Sequence, residues 1–344
     1  MILAVPDLHF KERLSYADYI PDKREGERKE ILDFIVETSK KCDSIVFLGD
    51  NFDRFSNPPE VIRAFTEFVE RFSGKDVFIL GGNHEKQPNG KTAVDYLREI
   101  KNPKWHIITN EVLNTDGDIK VSFCPYFFRQ ELEQEDNAAG AKELMKRLPG
   151  GDILFHHHAV SDTKTDGGAM ADLFDEIILP RKALEKKYKL IVGGHVHKPQ
   201  KIGQTLVAGS VFANEANEDR KKVWTIDEKT LEVTEHELPG RSIVKINDPT
   251  IKQLDKIEKK SIVKVVLTEK RTQKEADELK AYLADRFDAF LFLEQYPNER
   301  KKIIIEDDSG DITDYSVEKL LGIYSKAREV SLEKLNKAWK IIKV

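Results

Sequence analysis

MILAVPDLH, residues 1–9, opens with a short apolar run and then presents Asp7 and His9, two side chains of metal-ligand type. A run of this length and composition reads as a buried strand. The same pattern returns four times. Residues 44–53 read SIVFLGDNFD, so Gly49, Asp50 and Asp53 follow a second apolar run. Residues 76–85 read DVFILGGNHE and place Gly82, Asn83, His84 and Glu85 after a third. Residues 152–158 read DILFHHH, and residues 190–197 read LIVGGHVH, ending in His195 and His197. Between the first three runs lie two amphipathic stretches. Residues 25–41 carry Ile31, Leu32, Phe34, Ile35 and Thr38 along one stripe, and residues 60–72 carry Val61, Ala64, Phe65, Phe68 and Phe72 near helical spacing. Apolar strands alternating with such helices predict an α/β sandwich built around a sheet. In an open α/β sheet the C-terminal strand ends line one crevice, so the five motifs are expected to meet there.

The residue types suit a metal site. Side chains at i and i+2 of an extended segment share a face, so Asp7 with His9, and His195 with His197, can each present two ligands to one pocket. The glycines before Asp50, Asn83 and His195 allow the backbone to turn sharply. Carboxylate oxygens mixed with imidazole nitrogens suit manganese, iron or zinc without any thiolate. One bridging carboxylate can hold two cations about 3.5–4 Å apart, which polarise a phosphoryl group and generate a hydroxide. A lone D-x-H or G-N-H occurs by chance in many proteins; five such motifs in order, each at a strand end, do not read as chance. His106 and His236 lie outside the motifs and read as structural or surface residues.

The 344 residues, 34% of them charged, carry a formal net charge of -5, which excludes a strongly basic nucleic-acid binder but not local basic contacts. Cys42 and Cys124 are too few for a disulfide framework and read as reduced thiols of a cytoplasmic protein. MILAVPDLHF lacks the basic start of a signal peptide, and no apolar run reaches the roughly 18 residues that would span a bilayer, so no membrane association is expected. The texture changes near Pro239-Gly240. Beyond it the pattern is strand, strand, helix over 273–286, and strand, which predicts a small second domain. Residues 307–314 read as a polar linker. Residues 316–343 carry two apolar stripes, Val317, Leu320, Leu321, Tyr324 and Ala327 on one, Leu332, Leu335, Ala338, Trp339 and Ile342 on the other.

The order Asp7-x-His9, Gly49-Asp50-x-x-Asp53, Gly82-Asn83-His84, His157 and Gly194-His195-x-His197 resembles that of the calcineurin-like metallophosphoesterases. Within them the chain is most similar to SbcD-type DNA repair nucleases and phage recombination endonuclease subunits, through LIVGGHVHKPQ (190–200) and the following LVAGSVFANE (206–215). The resemblance implies an α/β metallophosphoesterase β-sandwich flanked by helices over residues 1–240. A small α+β DNA-capping domain would follow over 241–306, then a linker and C-terminal helices over 307–344. It implies that Asp7, His9, Asp50 and His197 hold one divalent cation and Asp50, Asn83, His157 and His195 a second, with Asp50 as the bridge. Manganese is the family's usual metal, although the sequence itself does not choose. His84 would sit over the phosphate as a catalytic donor, and Asp53 would orient it. Aligning His158-Ala159-Val160 with the family's segment leaves His157 as the ligand, with His156 the alternative. Glu85 departs from the Asp usual in the family.

The implied function is metal-dependent exonuclease and endonuclease cleavage of DNA, as the nuclease subunit of an SbcCD-type repair and recombination complex. An SbcC-type SMC-like ATPase would bind the C-terminal helices through Leu332, Leu335, Trp339 and Ile342. A homodimer would form through the helices near 60–72 and 91–100, using Phe65, Phe68, Phe72 and Tyr96. The alternatives are a free-standing phosphoesterase acting on nucleotides or phosphoproteins, and a non-catalytic scaffold, which would be expected to have lost ligands.

Overall fold

The structure is a computed structural model; it describes residues 1–20, 23–115, 117–165, 168–295, 321 and 331. The expected segment at 316–343 therefore lies outside the described residues apart from Leu321 and Ser331. Residues 1–266 with 271–293 form one compact unit; residues 267–270, 294 and 295 fall outside it.

Two six-stranded sheets make the centre of the first unit. In one, the strands Ile2–Val5, Ser44–Phe47, Asp76–Leu80 and Trp105–Ile108 run parallel and in that spatial order. Lys222–Ile226 pairs antiparallel on the free side of Ile2–Val5, and Val233–Glu237 completes the edge. In the other, Gly151–His156 lies parallel between Val121–Cys124 and Tyr188–Gly193, and Thr205–Val207 pairs parallel beyond Tyr188–Gly193. The pleat explains how apolar runs without alternation serve both faces. Ile2, Ala4, Val46 and Leu80 turn inward and meet Ile153, Phe155, Leu190 and Val192 of the other sheet. Leu3, Val5, Ile45, Phe47, Val77 and Ile79 turn outward under Ile31, Ile35, Phe65, Phe68 and Phe72. Those last residues belong to the helices Glu25–Ser39 and Pro59–Glu70 and the turn after the second. On the far side Leu154 and Ile191 are covered by Leu144, Leu148 and Leu184. Layers of helix, sheet, sheet and helix result, a mixed α/β fold of the expected class.

One expectation changes. Phe65, Phe68 and Phe72, expected at a surface between copies of the chain, are 0%, 2% and 1% exposed within this one chain. They pack edge-on around Phe47, with ring centroids 5.8–6.1 Å apart. A helix covering a parallel sheet must fill a wide groove, and these rings fill it. Tyr96 is half-buried, its hydroxyl 2.9 Å from Thr66 Oγ1.

Past Gly240, Ile243–Asn247, Ile262–Leu267 and Ala289–Glu294 make a three-stranded sheet. The helix Gln273–Arg286 joins the last two, opened by a reciprocal Thr272 and Glu275 capping box. Ile243, Ile262 and Ala289 pack with Ile20 and Ala213, so this sheet shares a core with the earlier residues. Among the described residues no helix is long and apolar enough to cross a membrane. Cys42 and Cys124 are free thiols, both buried.

Removing a fully enclosed ring leaves a cavity that the sheet cannot collapse into. Phe65→Ala is therefore expected to cost about 3–5 kcal/mol in denaturant unfolding. A loss below about 1 kcal/mol would show that the ring is not part of the core.

Candidate metal centre

All five motifs converge at the C-terminal ends of the central parallel strands. The first three follow Ile2–Val5, Ser44–Phe47 and Asp76–Leu80; the other two follow Gly151–His156 and Tyr188–Gly193 of the second sheet. Asp50 sits in the middle, 1% exposed. Its Oδ1 accepts from the His84 backbone N–H at 2.9 Å. Its Oδ2 lies 3.7 Å from His9 Nε2 on one side and 3.3 Å from His157 Nε2 on the other.

Around that oxygen the donors form two groups. Asp7, His9 and His197 make one, and Asp50, His157 and His195 the other, with ligand atoms within 4.8 Å of one another in each. In the first, His9 Nε2 and His197 Nε2 face each other at 2.8 Å, and Asp7 Oδ2 is 3.7 Å from His197 Nε2. In the second, Asn83 Oδ1 lies 3.1 Å from His157 Nε2 and 2.9 Å from His195 Nδ1. A third grouping, His9, Asp50 and His84, is looser, since His84 Nε2 is 4.0 Å from Asp50 Oδ2 and the ring is 45% exposed.

Hydrogen bonds fix which nitrogen faces the centre. His157 Nδ1 is 2.7 Å from the Leu48 carbonyl, which can only accept, so the proton sits there and Nε2 points inward. His195 Nε2 is 2.7 Å from Glu176 Oε1, which leaves Nδ1 inward. His156 turns away instead. Its ring packs against Gly193, where an added Cβ would come within 2.4 Å of Cε1. His158 Nε2 accepts from the Phe127 backbone N–H at 3.2 Å. Of the three consecutive histidines, only His157 reaches Asp50.

The donor set fits divalent cations. Burial drives the Asp7 carboxyl up to about 7, and the Asp50 charge pushes it the same way. Asp7 Oδ1 has no hydrogen-bond partner among the described residues despite being fully buried. Burial pushes His9 down to about 4 and His197 down to about 3, so both rings are neutral near pH 7, the ligating form. Burial opposes charge on Asp50 and on His157 alike, but their mutual attraction outweighs it. The carboxyl is held well below its usual range and the imidazole is raised to about 10. The proton on His157 Nε2 thus stands where acceptor atoms of Asp50, Asn83 and His195 gather, a place whose charge a cation can supply instead.

Three positions differ from the expected local geometry. His9, Asp50 and His195 have φ of 43°, 45° and 77°, so the ligands converge through left-handed turns, not along an extended face. Gly49 does adopt a positive φ, 102°, but Gly82 and Gly194 do not. Those two are needed for space. A Cβ at Gly82 would sit 2.1 Å from Asp50 N, and one at Gly194 2.4 Å from Asp7 Oδ1. The expected orienting contact from Asp53 to His84 does not come from the carboxylate. The Asp53 backbone carbonyl accepts from His84 Nδ1 instead, at 3.1 Å, while the carboxylate binds Lys11 Nζ at 3.1 Å.

Glu85 braces the loop from within. Its carboxylate accepts from Gly82 N at 3.0 Å, Phe52 N at 2.6 Å and Asn51 Nδ2 at 2.8 Å. Burial first, then the Asp50 charge, pushes its carboxyl up to about 7. Lys86 follows it into the interior, donating to the Thr109 and Tyr126 carbonyls at 2.6 and 2.7 Å and pairing with Glu131 at 2.7 Å. Of the residues that support the centre, Lys86, Tyr126, Glu131 and Glu176 lie outside the motifs that the sequence displays. His106 and His236 lie elsewhere, on Asp76 and Thr225.

Residues 1–199 match the family described as calcineurin-like phosphoesterase. No curated protein matches the chain. Among solved structures, an archaeal phosphodiesterase is 11% identical over 69% of this chain and 99% of its own, with a TM-score of 0.34. A hypothetical protein from Pyrococcus horikoshii OT3 is 13% identical over 69% of this chain and 88% of its own, also at 0.34.

Since Asp50 Oδ2 lies between both donor groups, Asp50→Ala should abolish uptake at both. Protein reloaded with manganese is expected to approach two ions per chain and the variant none by elemental analysis. Full metal content in the variant would remove Asp50 from the bridge.

Proposed function

Because this chain belongs to the calcineurin-like phosphoesterase family, we propose that it is a two-cation phosphodiesterase acting on DNA, the nuclease subunit of an SbcCD-type repair and recombination complex. The observation that carries phosphoester hydrolysis is the position of Asp50 Oδ2 between the two donor groups. Asp7, His9, Asp50 and His197 would hold one cation, and Asp50, Asn83, His157 and His195 the other. Manganese would be the metal by resemblance to the SbcD branch. Two such cations supply neutralising charge to a phosphoryl group and lower the pKa of water near it.

The protein's own contribution centres on His84. Its Nδ1 keeps a proton because the Asp53 carbonyl can only accept, so Nε2 is the atom that takes up and releases one. The ring is 45% exposed and its Nε2 lies 4.0 Å from Asp50 Oδ2, within reach of a phosphate held at the centre. His84 would stabilise negative charge on the transferred group and protonate the departing sugar oxygen. A cavity of about 320 Å³ opens beside His195 and His197, walled by Thr165, Phe174, Glu215 and Glu218.

DNA as substrate is supported by the segment LIVGGHVHKPQ and by the three-stranded sheet after Gly240, which on this reading would serve as the capping element of an SbcD-type nuclease. On this reading the chain would work as a homodimer and with an SbcC-type ATPase bound by residues 316–343. The second reading, a phosphoesterase for nucleotides or phosphoproteins, has no need of that sheet.

Linear and hairpin DNA incubated with the manganese-loaded protein should be cleaved, with and without the ATPase. Activity on small phosphodiesters or phosphopeptides and none on DNA would favour the second reading. His84→Ala should retain both ions while losing roughly 100- to 1000-fold in cleavage rate. A loss under about threefold would take His84 out of the chemistry.

A further inference from the structure

Glu176 lies outside every motif, in the segment between the strand Ala159–Val160 and the strand Ile178–Leu179. Its Oε1 is 2.7 Å from His195 Nε2, and both side chains are largely buried, 14% and 10% exposed. Its Oε2 accepts from the Tyr126 hydroxyl at 3.3 Å. From this geometry we infer that Glu176 is a positioning residue for the second cation, which sets the tautomer and the aim of His195. The inference rests on the two-cation reading of the site.

A carboxylate facing one imidazole nitrogen draws the proton to that nitrogen. The opposite one, here Nδ1, is left with its lone pair directed at Asn83 Oδ1 and the centre. His195 has particular need of such an anchor. It occupies a left-handed turn, φ 77°, and its backbone N–H donates to Asp7 Oδ2 at 2.8 Å. The main chain of His195 is therefore tied to one donor group while its ring serves the other. Without a second tie, rotation about its side-chain bonds would swing Nδ1 away.

Glu176 is itself braced from both directions. Behind it, Ile178–Leu179 pairs with Ala159–Val160, directly after the histidine run. Ile177 packs so closely on the helix Asn137–Arg147 that a Cβ at Gly140 would come within 2.8 Å of its Cδ1. Asp175 takes a hydrogen bond from Asn137 Nδ2 at 2.9 Å. In front, Tyr126 is immobilised. Its N–H donates to the Gly81 carbonyl at 2.8 Å, and its own carbonyl accepts from Lys86. Its ring stacks on His158 with centroids 4.8 Å apart. An acid that merely satisfied the Tyr126 hydroxyl would not place its shorter contact on His195.

The test uses the full-length chain. Manganese binding by calorimetry is compared for the unaltered protein, Glu176→Ala, Glu176→Gln and Tyr126→Phe. The tautomer of His195 is read from long-range 1H–15N spectra of the metal-free proteins. Glu176→Ala should weaken one of two manganese sites by about 10- to 100-fold and leave the other within about threefold. Its His195 should populate both tautomers, where the unaltered protein shows Nε2–H alone. Glu176→Gln, which still offers an acceptor oxygen, should recover most of the affinity and the single tautomer. Tyr126→Phe should shift both readouts the same way by less. Should Glu176→Ala fail to fold, the Gln and Phe variants carry the comparison. Unchanged affinity and tautomer in the variants, or equal weakening of both sites, overturns the assignment. If the unaltered protein binds fewer than two ions, the two-cation reading fails, and the tautomer comparison still judges Glu176.

Discussion

The Asp50 carboxylate is shut off from water in the interior of a small domain, and its charge is kept there by the groups around it. An isolated ionised carboxylate in such a place would be very costly. Here His157 stands 3.3 Å away on a carbonyl-locked ring, His9 approaches from the other side, and the His84 backbone N–H caps the remaining oxygen. Each of those groups arrives from a different strand end. Keeping the charge stable therefore requires the registry of both sheets at once. A one-residue slip in any of the central strands would turn a donor to the opposite face.

The turns that deliver these groups are strained. Left-handed backbone at His9, Asp50 and His195 costs of order 1 kcal/mol or more per residue, and none of the three is a glycine. The surroundings hold them in place. His9 N donates to the Asp50 carbonyl at 2.8 Å, so the first two turns brace each other, and His195 N is tied to Asp7. Below them the strands are enclosed on both faces by aromatic and branched side chains, which gives the strand ends a rigid base. Gly82 and Gly194 let the turns approach to distances that no side chain would allow.

A second layer of charged groups holds the first. Glu85 gathers three N–H donors, from the Phe52 and Gly82 backbones and the Asn51 side-chain amide, and so fastens the Asp50 turn to the Asn83 turn. Lys86, likewise buried, fixes Tyr126, and Tyr126 touches Glu176, which meets His195. The centre is thus connected by continuous hydrogen bonding from the third strand end to the fifth. Substitution anywhere along that line would act on the ligands through geometry and not through their chemistry.

Much of this was legible in the residues themselves. Uninterrupted apolar runs ending in Asp, His and Asn announced parallel strands with ligands at one edge, because enclosure on both faces removes the alternation that a half-exposed strand shows. The three strands and the helix read after Gly240 all form, with one short helix, Ile251–Leu254, added between the first two strands. What the sequence could not express was direction. Three consecutive histidines look alike in the chain; only packing against Gly193 and Phe127 turns His156 and His158 away and leaves His157 on the Leu48 carbonyl. The phenylalanines of residues 65–72 could equally have faced a partner or the sheet, and the width of the groove over Phe47 drew them inward. Asp53 serves His84 by its backbone and not its carboxylate because the turn points its carbonyl at the ring. Glu176, far in sequence from any motif, becomes the neighbour of His195 only once Ile177 has packed against Gly140. Identity and spacing are local properties of a chain; which nitrogen faces which oxygen is set by long-range packing, and that exists only in the folded molecule.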